Sequence, residues 1–109
     1  MRPLHTPTDI TMLLQHCVVS RKTPRDGKLE ISERTAAVVR PHEQLVIELR
    51  GATAPARLAS MSCGCRGVND PHVHFFVEAE LLKSLRPEAR VVLEMAEATG
   101  AISIIEERA

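Results

Sequence analysis

Hydrophobic residues recur along the chain in short runs separated by turn residues, a pattern typical of a protein built mainly from β-strands. The runs that predict strands are residues 16–20, 28–32, 44–49, 56–63, 72–78, 90–95 and 101–105. Two segments with helical spacing, 33–39 and 79–85, predict short helices, and each ends at an Arg-Pro pair because proline disfavours a helical residue before it. Thr6-Pro7-Thr8-Asp9 resembles a helix start, so we expect a further helix over residues 6–16. A strand over part of this segment is the alternative, if the internal repeat described next extends that far.

A sequence pattern also recurs at a spacing of 46 residues. Residues 38–53 align with residues 84–99, with Arg-Pro and Ala-Thr pairs at matching positions and the same hydrophobic register. The alignment extends upstream and predicts an internal repeat over residues 13–54 and 59–100 within one domain, residues 1–109. Two similar halves predict a mainly β (α+β) fold, a compact pseudo-twofold β-barrel of about six to seven strands, whose closure would remove exposed strand edges.

The order of elements in each half (strand, strand, short helix, turn, strand) resembles that of the cradle-loop barrels, the group that contains double-psi and swapped-hairpin barrels. The resemblance covers roughly residues 15–105. The glycine-aspartate turn common in that group is replaced here by Pro41-His42-Glu43 and Pro87-Glu88-Ala89. Because such barrels include transcription regulators, enzymes and adaptor domains, the resemblance implies a fold and leaves the function open.

Composition and charge narrow the classes of partner. The chain has 109 residues, 14 Lys+Arg against 14 Asp+Glu, two Phe, and no Trp or Tyr, which argues against a broad nucleic-acid surface. A local basic cluster, Arg21, Lys22, Arg25 and Lys28, is expected to be a solvated turn. Its alternative role is phosphate contact, as in a nucleic-acid-binding adaptor of the cradle-loop type.

The same composition bears on the compartment of the protein. No apolar run approaches the roughly 20 residues that a membrane span needs, and residues 1–17 lack a signal-peptide pattern. Three cysteines are an odd number for a disulfide-bonded secreted domain, so we expect a reducing cytoplasm. The partner, a protein or a small ligand, is not indicated, and a homodimer is compatible with the sequence.

The densest chemical signal is two pairs of metal-binding residues at strand spacing. Cys63 and Cys65 form one pair and His72 and His74 the other, so each pair lies on one face of its strand. The turn-rich segment between them predicts a hairpin that brings the pairs opposite each other. Two thiolates and two imidazoles are a tetrahedral set that structural zinc prefers. Copper(I) is the alternative metal, since Met61 adds a soft sulfur ligand.

Two catalytic alternatives use some of the same residues. His72, His74 and Glu78 follow an HxHx3E spacing that resembles the first metal motif of the cupins, which implies a metal-dependent enzyme with an open coordination position. A cysteine nucleophile would need a neighbouring base, but His16 and Cys17 are adjacent on a predicted strand and point to opposite faces. The sequence therefore favours a zinc-bearing binding or regulatory domain over an enzyme.

Overall fold

The computed structural model describes residues 10–42, 44–61, 72–77 and 79–107. Over these residues the chain is mainly β, as predicted, with three short helices beside one sheet. The strands are β1 (Thr11–Val18), β2 (Lys28–Glu30), β3 (Leu45–Leu49), β4 (Ala52–Met61), β5 (His72–Val77), β6 (Arg90–Ala96) and β7 (Ile102–Glu106). The helices are α1 (Lys22–Asp26), α2 (Glu33–Val39) and α3 (Ala79–Leu82).

The seven strands form one curled sheet in the order β1-β6-β7-β3-β4-β5-β2. Neighbouring strands are antiparallel except β3 and β7, which are parallel. The sheet forms a half-barrel, because β1 and β2 are its two edges and are not hydrogen-bonded neighbours. A side chain bridges the two edge regions: the Ser32 backbone N–H donates to Gln15 Oε1 at 2.8 Å.

The concave side of the sheet holds a core of aliphatic residues, as the scarcity of aromatic residues requires. Phe75 is fully buried there, and the strands contribute mainly branched side chains around it. The helices add to this core, since Ala36 and Val39 of α2 and Leu82 of α3 are completely covered. Burial of each such leucine or valine stabilises the fold by about 1.5–3 kcal/mol.

The predicted helix over residues 6–16 is wrong for its described part, because the chain is a strand from Thr11 onward. β1 pairs with β6 along its whole length, and Met12, Leu14 and Cys17 pack against the core. A bulge between Leu13 and Gln15 interrupts the alternation, so the apolar spacing resembles a helical one. The hydrogen bonds between β1 and β6 outweigh the local helix signals. The first part of the predicted helix, residues 6–9, lies outside the described residues.

Four further elements differ from the prediction by two residues or more. β2 ends at Glu30 instead of at residue 32, and α3 ends at Leu82 instead of at residue 85. The basic segment after β1 forms the five-residue helix α1 instead of a simple turn, and Gly27 ends it with a φ of 72° while donating its N–H to Thr23. β4 begins at Ala52, four residues earlier than predicted, because Arg50 and Gly51 make a tight hairpin turn from β3. Their φ values of 53° and 86° are of the type that matches the twist of antiparallel strands.

Candidate metal centre

β4 and β5 form the antiparallel hairpin that the sequence predicts around the cysteine and histidine pairs. In its register His72 lies opposite Met61 and His74 lies opposite Ala59. The histidines thus face the last residues of β4, two or more positions before the first cysteine. Cys63 and Cys65 lie outside the described residues, so the expectation that the histidine pair lies opposite the cysteine pair stays a prediction.

Of the four predicted zinc ligands, His74 is the one whose side chain the structure describes, and that side chain is buried. It is 1% exposed and lies on β5 between Glu30 of β2 and Ala59 of β4. Its strand neighbours Val73 and Phe75 are buried as well, so β5 is covered on both faces at this point. A neutral imidazole nitrogen is among the commonest metal ligands in proteins.

The predicted ligand sets extend beyond what the structure describes. Cys63, Cys65 and Glu78 fall outside the described residues, and His72 is placed by its backbone at the start of β5. Within the described part of the chain, no group of three or more His, Cys, Asp or Glu side chains is arranged to hold a metal ion. The zinc set and the HxHx3E set both stay predictions.

Cys17 has the properties of a core residue and not of a nucleophile. Its half-buried thiol packs against the core, and burial, followed by the nearby Glu30 carboxylate, raises its pKa to about 11. His16 points away from it and places Nδ1 2.7 Å from Glu107 Oε2. The adjacent residues thus occupy opposite faces of β1, as expected, and His16 does not activate the thiol.

The four basic residues singled out in the sequence are divided between two elements. Arg21 precedes α1, Lys22 and Arg25 belong to it, and Lys28 starts β2 opposite Phe76. Arg25 donates from Nε and a terminal nitrogen to the two Asp26 carboxylate oxygens at 3.0 and 3.1 Å. That hydrogen bonding lowers the pKa of Asp26, and the carboxylate offsets one cation of the cluster.

The structure also shows features that the sequence did not indicate. Arg50 donates to Ser84 Oγ and to Glu106 Oε2, each at 2.6 Å, and so ties the β3–β4 turn to two distant segments. The Arg57 guanidinium lies 4.9 Å from the centre of the Phe76 ring. A groove of about 410 Å³ separates β1 from α2. A helix over residues 6–16 would leave no strand edge at this position, so the sequence does not predict the groove.

Comparisons with known proteins give no relative from which a role can be transferred. No family model matches the chain, and no curated protein matches it. Among the described residues, no helix has the length and apolar character needed to cross a membrane.

Proposed function

We propose that this protein is a small binding or regulatory domain whose β4–β5 hairpin is stabilised by a structural zinc ion. The proposed ligands are Cys63, Cys65, His72 and His74. The observation that carries the proposal is the complete burial of His74 on the strand that follows the cysteine segment. Two imidazoles and two thiolates, brought together, are the donor set of a closed tetrahedral zinc site, and His74 is a buried member of that proposed set.

Strand geometry supports the reach of the cysteines. β4 ends at Met61, so Cys63 follows the last paired residue by two positions, which is about 7 Å of extended chain. Met61 is paired with His72, so this distance starts opposite the backbone of the first proposed histidine ligand. Zinc binding requires the segment after Met61 to turn back over the hairpin toward His74. The proposal also assigns the protein to a reducing compartment such as the cytoplasm, where both thiols stay available.

A closed site of four protein ligands would serve folding and not catalysis. It leaves no coordination position for a substrate, and the free energy of zinc binding becomes part of the free energy of folding. The enzyme alternative uses His72, His74 and Glu78 and shares the buried imidazole with the structural site. The two sets differ in their donors, because one contains two sulfur atoms and the other contains none.

We also propose that the half-barrel derives from a duplicated unit with pseudo-twofold symmetry. In its support, Leu29 of β2 pairs with Phe75 of β5, and these residues are 46 positions apart. α2 and α3 begin at the same spacing, at Glu33 and Ala79.

The support for this duplication does not extend to the first strand of each unit. In the β3–β4 pair, Leu45 lies opposite Ala56. Shifting each residue by 46 positions into the other unit predicts that Val91 lies opposite Ile10. In the structure, Val91 lies opposite Cys17. β1 is thus displaced by seven residues along its partner, so the register does not support an equivalence of Cys17 with Cys63.

Metal content measured by elemental mass spectrometry tests the zinc proposal. The untagged wild-type protein should contain about one zinc per chain, and Cys63→Ser should lose it and melt at a lower temperature. Cys17→Ala is the matched control, since it removes the third cysteine without touching the proposed ligands and should keep the metal. A metal-free wild-type protein whose stability is insensitive to a chelator would contradict the proposal. Iron, manganese or nickel in place of zinc would favour the enzyme alternative.

A further inference from the structure

The groove between β1 and α2 has an edge strand as one wall and a helix as the other. Its volume is about 410 Å³, and its lining is Met12, Leu13, Leu14, Arg34, Thr35 and Val38. The hydrogen bond from Ser32 N–H to Gln15 Oε1 joins the two walls next to this lining. A channel between a sheet edge and a helix has the shape that extended peptides occupy when they add a strand to a sheet.

The edge of β1 presents backbone groups on the side opposite to β6. The Ile10 carbonyl accepts from Glu97 N–H, and Val19 N–H donates to the Ala89 carbonyl, so both residues bond toward the β6 side. Alternation along an antiparallel ladder then directs the N–H and C=O groups of Thr11 and Leu13 away from β6. Among the described residues no backbone group bonds to them from that side, so they can pair with a further strand.

The two edge strands of the sheet differ in the features that protect an edge from pairing with a further strand. From Thr11 to Val18, β1 contains neither proline nor any Lys, Arg, Asp or Glu, and Leu13 is 56% exposed. β2, the other edge, has only three residues, and two of them are Lys28 and Glu30. Charged residues and short length are two common means of protecting an edge from pairing, and β1 has neither. Its bulge between Leu13 and Gln15 interrupts the edge beyond the stretch from Thr11 to Leu13, which stays regular.

Arg34 gives the groove a charge preference. Among the lining residues that the structure describes, it is the one that carries a charge. Its side chain is exposed, and it makes no ion pair with any residue in the described ranges. The rest of the lining is apolar except for Thr35, whose hydroxyl is already bonded to Ser32. An occupant that combines apolar side chains with a carboxylate complements this lining.

We propose that this groove binds an extended segment of a partner protein, which adds as a strand to β1 and places an acidic side chain at Arg34. The proposal rests on the binding role proposed above and is independent of the zinc ion. Backbone hydrogen bonds to β1 supply affinity in this mode, and contacts with Met12, Leu14 and Val38 select apolar side chains.

A phage-displayed library of random eight-residue peptides, selected on the wild-type protein as purified, is the probe. We expect the enriched peptides to alternate apolar and other residues and to contain an acidic residue. Binding of a synthesised, fluorescein-labelled winner is then compared among variants by fluorescence anisotropy. The zinc content of each sample is measured in parallel, so that loss of metal is distinguished from loss of the groove.

Two pairs of variants locate the binding site. Leu13→Pro removes an N–H that faces the groove without removing a bond to β6, and it should weaken binding about fivefold to tenfold. Val18→Pro is its control, since Val18 is an exposed residue of the same edge but outside the groove lining. Arg34→Glu should weaken binding of acidic peptides, whereas Arg40→Glu, just beyond the other end of α2, should not.

Three results would overturn the proposal. They are a library that yields no enriched sequence, winners that bind Leu13→Pro as tightly as wild type, and winners with no preference for acidic residues. A wild-type dimer that Leu13→Pro dissociates, measured by light scattering, would show that a second copy occupies the edge instead of a partner segment.

Discussion

Gly100 differs from Gly51 because both its backbone conformation and its close neighbour require a residue without a side chain. Its φ of 80° is one that residues with a side chain rarely adopt, and an added Cβ would lie 2.7 Å from His42 Nδ1. His42 therefore packs directly against the turn between β6 and β7, a contact that no sequence pattern indicates. The identity of residue 100 is fixed by two separate effects.

A pair of glycine variants separates these effects. Gly51→Ala should cost about 1–2 kcal/mol from its left-handed backbone alone, because an added Cβ at Gly51, with φ of 86°, meets nothing within 4 Å. Gly100→Ala should cost about 1–3 kcal/mol more than that, from overpacking against His42. Urea unfolding measures both changes, and adding His42→Ala to Gly100→Ala should recover most of the excess. Equal costs at the two glycines would contradict the described contact.

Cys17 makes stability depend on pH in the alkaline range. Its pKa is about 11 in the fold against an ordinary value of 9.0, so the native state keeps the proton where the unfolded chain has lost it. The stabilisation is fully present below pH 9 and is lost as pH rises toward 11. Urea unfolding at pH 8 and pH 10.5 should show a larger loss for wild type than for Cys17→Ala, which controls for other groups. Identical losses would contradict the burial of this thiol.

Among the elements, α2 shows what local sequence signals determine. Its bounds were predicted as residues 33–39 and are confirmed, because Ser32 caps its first turn and Pro41 follows its end. β1 shows the opposite case, since its strand conformation depends on pairing with β6, far along the chain. Local sequence signals thus predicted α2, whose capping residue and terminating proline lie next to it in the sequence. They did not predict β1, whose conformation depends on hydrogen bonds to a strand far along the chain.

The cap of α2 is testable by itself. Ser32 Oγ accepts from Thr35 N–H at 3.1 Å, and Ser32→Ala should lower the free energy of unfolding by about 1 kcal/mol. Ser32→Asp keeps an acceptor at the cap and should stay close to wild type. Thermal or urea denaturation of the three proteins measures the difference. If Ser32→Asp loses as much as Ser32→Ala, the side chain is not acting as a cap.

At the scale of the whole molecule, the order of strands was not readable from the sequence. The final strand, β7, inserts between β6 and β3 and pairs in parallel with β3, a contact that joins residues about 55 positions apart. Strand content follows from hydrophobic runs, whereas strand order depends on which edges meet, and several orders satisfy the same pattern. The sequence identified the candidate ligands by their residue types, but it did not predict which residues of β4 and β5 lie opposite each other.

The bridge between the two edge regions contributes to the curled shape. Gln15→Ala removes the acceptor of Ser32 N–H and should cost about 0.5–1.5 kcal/mol, whereas Gln15→Glu keeps an acceptor oxygen. Amide exchange followed by NMR should show faster exchange at Ser32 in the alanine variant only. Unchanged exchange at Ser32 in Gln15→Ala would mean that the bridge does not hold these regions together.

Zinc X-ray absorption spectroscopy on the purified protein tests the proposed structural site most directly. Two sulfur atoms at about 2.3 Å and two imidazole nitrogens at about 2.0–2.1 Å are expected around the metal. Cys63→Ser should remove this shell, and Cys17→Ala should leave it unchanged. A shell of nitrogen and oxygen atoms without sulfur, or a protein that retains no zinc, would contradict a structural site formed by Cys63, Cys65, His72 and His74.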